Sequence, residues 1–377
     1  MLQAALQKHS SNDRGRVTFQ PEADVELTSL LSIKALARRL VASDLPRLDA
    51  VICNAGMGGW TGLNWPLAVW KILLDIRTNT TWPTYKLGIV GAITKPQLPA
   101  GLSLEPALGE VFCANLFGHY MLVHWLMPLL RACPPEHPAK IIWVSSIEPQ
   151  SYHFNSDDFQ GLRTDAAYEH SKRMTDLLAL TSTQPSTTDS VSEYCSLPPS
   201  SSDPPRPSQT PPTMHLFHPG IVVTSVITLY WLLAQGYLLG ILFARLLGAP
   251  WSTVHPYTAA AAATFLALSP ETSLTHYQER NTGSSRGTVK WGTAVDVRGR
   301  PSVRVTEVDK WGLNGSGVKF GDTWWGGKSG LGRKPGMVDA TEREVAGFIE
   351  QGRHVWRQME ALRVEWERRI EEYERQL

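Results

Sequence analysis

Tyr168 and Lys172 stand four residues apart in Tyr168-Glu169-His170-Ser171-Lys172, a spacing that puts a phenol and an ammonium on one face of a helix. A neighbouring cation favours the ionised phenol. A tyrosine that titrates near pH ~10 is therefore expected to move toward neutrality and to give its proton to a carbonyl receiving hydride. Tyr-x-x-x-Lys is also an ordinary pattern on solvated helices, so the pair needs support from the elements around it. Leu48-Asp49-Ala50-Val51-Ile52-Cys53-Asn54-Ala55-Gly56 reads as a buried strand ending in a polar residue and a small turn, where a flat ligand could lie against the backbone. Ile141-Ile142-Trp143-Val144-Ser145-Ser146 is a second apolar run, closed by hydroxyls, and Met214-His215-Leu216-Phe217-His218-Pro219-Gly220 a third, closed by a Pro-Gly turn. Between the first two, residues 110–122 form an apolar helical stretch with Asn115 facing inward by its spacing. Strands alternating with helices predict an α/β fold, a Rossmann-like, doubly wound parallel sheet with ligands at the carboxyl ends of its strands.

Asn54-Ala55-Gly56, Asn115, Ser145-Ser146, Tyr168-x-x-x-Lys172 and Pro219-Gly220, in that order, give the chain its resemblance to the short-chain dehydrogenase/reductase superfamily. Within it, Gly58-Gly59-Trp60-Thr61-Gly62, Asn115-Leu116-Phe117-Gly118-His119-Tyr120 and Trp143-Val144-Ser145-Ser146-Ile147-Glu148 resemble the fungal 3-keto-steroid reductases of ergosterol synthesis. Gly248-Ala249-Pro250-Trp251 and Lys290-Trp291-Gly292 fit the same group. One departure stands out. The superfamily opens with a strand and a Thr-Gly-x-x-x-Gly-x-Gly turn whose N–H groups hold the cofactor phosphates, and no such turn precedes Asn54. Measured against the family, the first two strands are missing, so a shortened gene model is the expectation.

With 377 residues, 42 % hydrophobic and 19 % charged, the chain can bury a sizeable core. A net charge of +1 points to neither nucleic acid nor an acidic partner. Four scattered cysteines read as reduced thiols, and the histidines show no metal-ligand spacing, so no metal is expected. Residues 1–340 read as a truncated reductase domain and 341–377 as a C-terminal amphipathic helix packed on it. Within the domain, the Ser/Thr/Pro-rich residues 185–212 read as a disordered insertion.

Residues 221–247 are uncharged up to Arg245 and near the ~20 residues that span a bilayer. A crossing would separate the two parts of the fold. Monotopic insertion, with Trp231, Tyr237 and Trp251 near the interface, is favoured, and a buried helix pair over the cleft is the alternative. The resemblance implies a membrane setting, the cytosolic face of the endoplasmic reticulum or of lipid droplets, beside other sterol C-4 demethylation enzymes.

The resemblance also assigns roles. Tyr168 protonates the ketone oxygen, Lys172 lowers the tyrosine's pKa and holds the nicotinamide ribose, and Ser146 donates to the same oxygen. Strand alternation allows only one of Ser145 and Ser146 to face the site. Asn115 positions a water that relays protons to Lys172, or else bonds backbone groups. Cofactor contacts are implied at Glu26, Asn54, Val222 and Thr224, with NADPH as cofactor. The implied reaction is reduction of a 3-keto sterol to its 3β-alcohol after C-4 demethylation. The alternatives are a catalytically impaired scaffold of a membrane demethylation complex, or a reductase of another bulky lipid or polycyclic ketone.

Overall fold

A computed structural model describes residues 20, 25–99, 105–198, 210–223, 231–323 and 332–377. Its centre is a five-stranded sheet in the order β1 (Ala50–Cys53), β4 (Lys140–Val144), β5 (Thr213–His218), β6 (Lys290–Val295) and β7 (Pro301–Thr306). The first four strands run parallel, and β7 returns antiparallel to β6. β7 starts at a proline, which lacks the N–H a central strand would need. Every residue of β4 and β6 is buried, as strands covered on both faces require.

Alternation along β4 separates two cores. Ile141 and Trp143 join Leu216 and the helices α1 (Leu30–Val41), α4 (residues 110–125) and α5 (Ala167–Leu180) on one face. Ile142 and Val144 join Phe217 and the helices α8 (Ala261–Leu268) and α9 (Glu271–Thr282) on the other. Helix α4 is composite: Glu110–Phe112, a π turn over Cys113–Phe117, and Gly118–Trp125. Among the described residues β1 is an edge of the sheet, where Ile52 is exposed. All four cysteines are free and buried.

Between β1 and α4 an excursion leaves the sheet: the hairpin strands β2 (Trp60–Leu63) and β3 (Lys86–Gly88) enclose the helices α2 (Trp65–Leu74) and α3 (Ile76–Thr81). Its base rests on the rest of the domain, since a Cβ at Gly88, which pairs with Trp60, would lie inside van der Waals distance of the Asp165 carbonyl.

Two sequence expectations change here, for residues 185–198 and for Trp251. Residues 185–198, read as part of a disordered insertion, contain a short turn, Pro185–Thr187, and helix α6, Thr188–Tyr194. Tyr194 anchors that helix by stacking 4.0 Å from the Tyr120 ring and donating its hydroxyl to the Tyr120 carbonyl at 3.2 Å. Residues 199–209 lie outside the described part. Of the apolar run at 221–247, residues 224–230 lie outside the described part and the rest holds helix α7 (Trp231–Leu246); among the described residues no helix is long and apolar enough to cross a membrane, in keeping with the disfavoured crossing. Trp251, expected at an interface, is buried, with its indole N–H donated to the Gly332 carbonyl at 2.8 Å.

The C-terminal helix α10 (Glu342–Glu374) opens on a capping box between Thr341 and Glu344. Its apolar face, including Val355, Trp356, Met359, Trp366 and Ile370, is buried in the α4–α5 core.

Candidate active site

The carboxyl ends of β1, β4 and β5 open into a cavity of about 1000 Å³. Asn54, Gly56, Ser146, Pro219 and Gly220 form its sheet side, and Tyr168 and Lys172 reach it from the first turns of α5. Two glycines let the chain close up there, one against a side chain and one against backbone. A Cβ at Gly56 would sit 2.4 Å from the Asn115 side-chain oxygen. One at Gly220, where φ is +76°, would sit 2.5 Å from the Trp251 carbonyl.

Asn115 comes from the π turn of α4, a feature common at functional sites. Its amide oxygen accepts the Met57 N–H at 2.8 Å, and its NH₂ donates to the Met57 carbonyl at 3.0 Å and the Ser171 hydroxyl at 3.1 Å. The side chain thus bonds the backbone of residue 57 on both its N–H and carbonyl sides. Beside it His119 bonds the Ala55 carbonyl at 2.7 Å, and burial brings its imidazole down to about 4, so it stays neutral.

The two serines part company as strand alternation demands. Ser145 turns inward and donates to Asp176 at 2.5 Å, whereas the Ser146 hydroxyl is hydrogen-bonded to the Tyr168 phenol. Lys172 donates to the Val144 carbonyl at 2.8 Å, and its ammonium lies 5.7 Å from the Tyr168 ring centre.

The expected direction of the tyrosine shift is reversed. Burial pushes the Tyr168 phenol well above its ordinary range, the Glu148 carboxylate adds to the rise, and the Ser146 hydrogen bond works the other way. The lysine moves instead: burial brings Lys172 down to about 8, with Asp176 opposing and Lys290 assisting. In this site Tyr168 is a phenol held protonated, the state a proton donor needs.

Sequence reasoning missed the group on the other side of that phenol. Lys86, from the β2–β3 hairpin, donates to Glu148 at 2.5 Å and is bonded to Glu169. Its ammonium sits 4.3 Å from the Trp60 ring centre and 5.4 Å from that of Tyr168, whose own centres are 4.8 Å apart. Glu148 and Trp60 stand inside segments that carried the family resemblance. Lys86 had no sequence signal.

The implied cofactor contacts divide. Asn54 and Val222 line the cavity. Glu26 does not: it lies exposed ahead of α1, its carboxylate accepting from the Thr28 N–H at 2.9 Å and hydroxyl at 2.8 Å. Thr224 falls outside the described residues. The remaining wall of the cavity is largely apolar, with Pro83, Tyr237, Pro256, Ala259 and Ala263, beside the hydroxyls of Thr80 and Thr81. Among the described residues no cluster of His, Cys, Asp and Glu could hold a metal.

No protein-family model matches the chain. Two solved structures are similar to it in part. An NADPH-bound carbonyl reductase from chicken fatty liver is 17 % identical over 79 % of this chain and 81 % of that one, at a TM-score of 0.34. A short chain dehydrogenase from Salmonella enterica is 15 % identical over 71 % and 75 %, at 0.33. Likeness at that level carries no argument. The strand order, the switch of direction only at β7, and the convergence of Ser146, Tyr168 and Lys172 at the strand ends define an oxidoreductase of the short-chain dehydrogenase/reductase superfamily. Among curated proteins, the chain is 43 % identical over 368 residues to the 3-keto-steroid reductase erg27 of Aspergillus fumigatus, covering 96 % of this chain and 80 % of that protein. It is 37 % identical to the 3-keto-steroid reductase ERG27 of Gibberella zeae, over 86 % of this chain and 68 % of that protein. The chain belongs to the 3-keto-steroid reductase family.

Proposed function

We propose that this chain reduces the C-3 ketone of a sterol to the 3β-alcohol, with NADPH as reductant, in the C-4 demethylation stage of ergosterol synthesis. The observation that carries the reading is the meeting of Ser146, Tyr168 and Lys172 at the polar end of a cavity whose far wall is apolar, in a chain 43 % identical to a 3-keto-steroid reductase.

The residues at the polar end fit a nicotinamide and its ribose: two glycines bring the floor close, and Lys172 keeps N–H donors beyond the one given to Val144. When bound, NADPH supplies hydride to the ketone carbon. Tyr168 gives its hydroxyl proton to the ketone oxygen, so a full oxyanion never forms. Ser146, already the phenol's partner, donates to the same oxygen. Lys172 in its charged state steadies the phenolate left behind, and Asn115 holds the turn at residues 56–57 that floors the site.

Presenting the purified chain with a 4-methyl sterol 3-ketone and NADPH in detergent micelles is expected to yield the 3β-alcohol with one NADPH consumed per alcohol formed. Binding of NADPH without turnover of the sterol ketone would move the substrate to another polycyclic or lipid ketone. Absence of NADPH binding, followed by quenching of tryptophan fluorescence, would leave the scaffold of a demethylation complex.

A membrane-surface setting is part of the same proposal. Helix α3 packs against both α2 and α7. Thr80, Thr81 and Tyr237 from this group line the cavity, while Trp65, Val69, Trp70, Leu73 and Leu74 on α2 and Leu239, Phe243 and Leu246 on α7 are exposed to solvent. Exposed apolar side chains of this kind on helices beside the cavity suit the interfacial zone of a bilayer, at the endoplasmic reticulum or a lipid droplet, and would hand a sterol to the cavity without passage through water. Trp70 is 63 % exposed and Leu73 77 % exposed, so Trp70→Glu with Leu73→Glu should leave the fold intact. The pair of changes is expected to cut flotation with phosphatidylcholine vesicles at least about tenfold, given a few kcal/mol of apolar burial per large side chain; unchanged flotation would reject this surface.

A further inference from the structure

Behind the Tyr168–Lys172 pair the same helix face continues to Asp176, each residue one turn from the last. Asp176 is fully buried, and facing it from β6 is Lys290, 2 % exposed. The Lys290 ammonium donates to both carboxylate oxygens, at 2.8 and 2.9 Å, and the Ser145 hydroxyl donates to one of them at 2.5 Å. Ser145 immediately precedes Ser146, and Val144, whose carbonyl holds the Lys172 ammonium at 2.8 Å, precedes both. One carboxylate therefore ties α5, the end of β4 and β6 together directly beneath the groups that move the proton.

Stability gives no reason for this arrangement. Withdrawing two charges from water is commonly not repaid by their attraction, and well-packed apolar side chains do as well or better. We propose that the Asp176–Lys290 pair is a positioning and charge-setting device for the active site: it fixes the Ser145–Ser146 strand end and determines the pH at which Lys172 gives up its charge. The proposal rests on the proton-transfer roles given above to Tyr168 and Lys172.

The groups facing Lys172 narrow the cause. Cys53 approaches from β1 and His119 from α4, while Tyr168 and Asp176 share its helix. Burial keeps the Cys53 thiol, the Tyr168 phenol and the His119 imidazole uncharged. Around the pair itself, Arg173 on α5 gives an N–H to the Asp309 carbonyl at 2.9 Å. His218 on β5 is bonded to Thr306 at 2.8 Å and held neutral by burial. The charges left to act on Lys172 at short range are those of Asp176 and Lys290, and they act in opposite senses.

Two neutralising substitutions should therefore move activity in opposite directions. Asp176→Asn leaves Lys172 facing the Lys290 cation alone, so Lys172 loses its proton earlier, and the alkaline fall in kcat/KM for the ketone should move to lower pH by about one unit. Lys290→Met leaves the carboxylate unbalanced, and the same limb should move about as far to higher pH. The double variant Asp176→Asn/Lys290→Met should fall between the two. Limbs that stay in place, or move in the same direction in both single variants, would overturn the proposal. Should either single variant fail to fold, Lys290→Arg decides: it keeps the charge, so its limb should coincide with the parent's, and a displaced limb overturns the proposal. Lys172→Met separates this inference from the reading beneath it. Full activity in Lys172→Met rejects the role of Lys172, whereas inactive Lys172→Met together with unmoved limbs rejects only the role of Asp176 and Lys290.

Discussion

Tyr168→Phe is expected to lower kcat for sterol ketone reduction by about 10²–10⁴-fold, the range over which a positioned proton donor acts, while sterol binding changes little. The phenylalanine keeps the ring that lies 4.8 Å from Trp60, 5.4 Å from the Lys86 ammonium and 5.7 Å from that of Lys172. Packing around the site should therefore survive. What is lost is one hydroxyl, the partner of Ser146. Ser146 remains able to donate to the ketone oxygen but has no acidic proton to give at neutral pH, so hydride arrival would build an oxyanion held by a single hydrogen bond. Steady-state turnover measured beside equilibrium binding of the sterol checks this: a fall in kcat with an unchanged dissociation constant is the expected pair. Turnover retained within a few-fold would remove Tyr168 from the reaction and leave the cavity as a binding site.

The polar end of the site was legible because its residues sit at the ends of apolar runs. Each of β1, β4 and β5 is a short strand closed by the residues that line the cavity, though β1, read from sequence as buried, is a half-exposed edge, and strand alternation said that Ser145 and Ser146 face different ways while the family resemblance chose Ser146. The spacing of Tyr168 and Lys172 on one helix was visible in the same way, but Asp176, one turn further on, was not singled out: its partner lies 114 residues away, and no local pattern links them. Lys86 was out of reach for a similar reason: it bonds to Glu148 and Glu169 across 62 and 83 residues, delivered by a hairpin whose strands span four and three residues. The reversed shift of Tyr168 has a separate cause. From sequence the lysine four residues away was the visible charge, whereas burial and the Glu148 carboxylate dominate in the folded site. Helix α6 was hidden by composition. Only Val191 and Tyr194 give it an apolar side, and its order comes from tertiary contacts with Tyr120 and α10, which no count of prolines and serines could show.

Those contacts make α10 part of the catalytic framework, and Trp356→Ala should expose that role. Trp356 is fully buried, donates its indole N–H to the Leu178 carbonyl of α5 at 3.0 Å, and lies 6.1 Å from the Tyr120 ring and 5.7 Å from that of Tyr194. Truncation removes the largest side chain at the junction of α4, α5, α6 and α10 and is expected to destabilise the protein by about 3–5 kcal/mol. Trp356→Phe keeps most of the packing and loses the N–H, leaving the Leu178 carbonyl without that donor, for a loss of about 1–3 kcal/mol. Denaturant unfolding of parent and variants measures both. The neighbouring network binds α10 to the same place: the Tyr120 hydroxyl donates to Glu360 at 2.5 Å, and Arg363 holds Glu360 at 2.8 Å and Glu367 at 2.5 Å. Because α5 carries Tyr168 and Lys172 on its front and receives Trp356 on its back, loss of the tryptophan should lower turnover at temperatures well below the unfolding midpoint. A single cooperative transition shifted to lower denaturant is the expected record. An Ala variant as stable as the parent, or one in which a separate early transition appears while activity persists, would show that α10 folds onto the domain without supporting its catalytic helix.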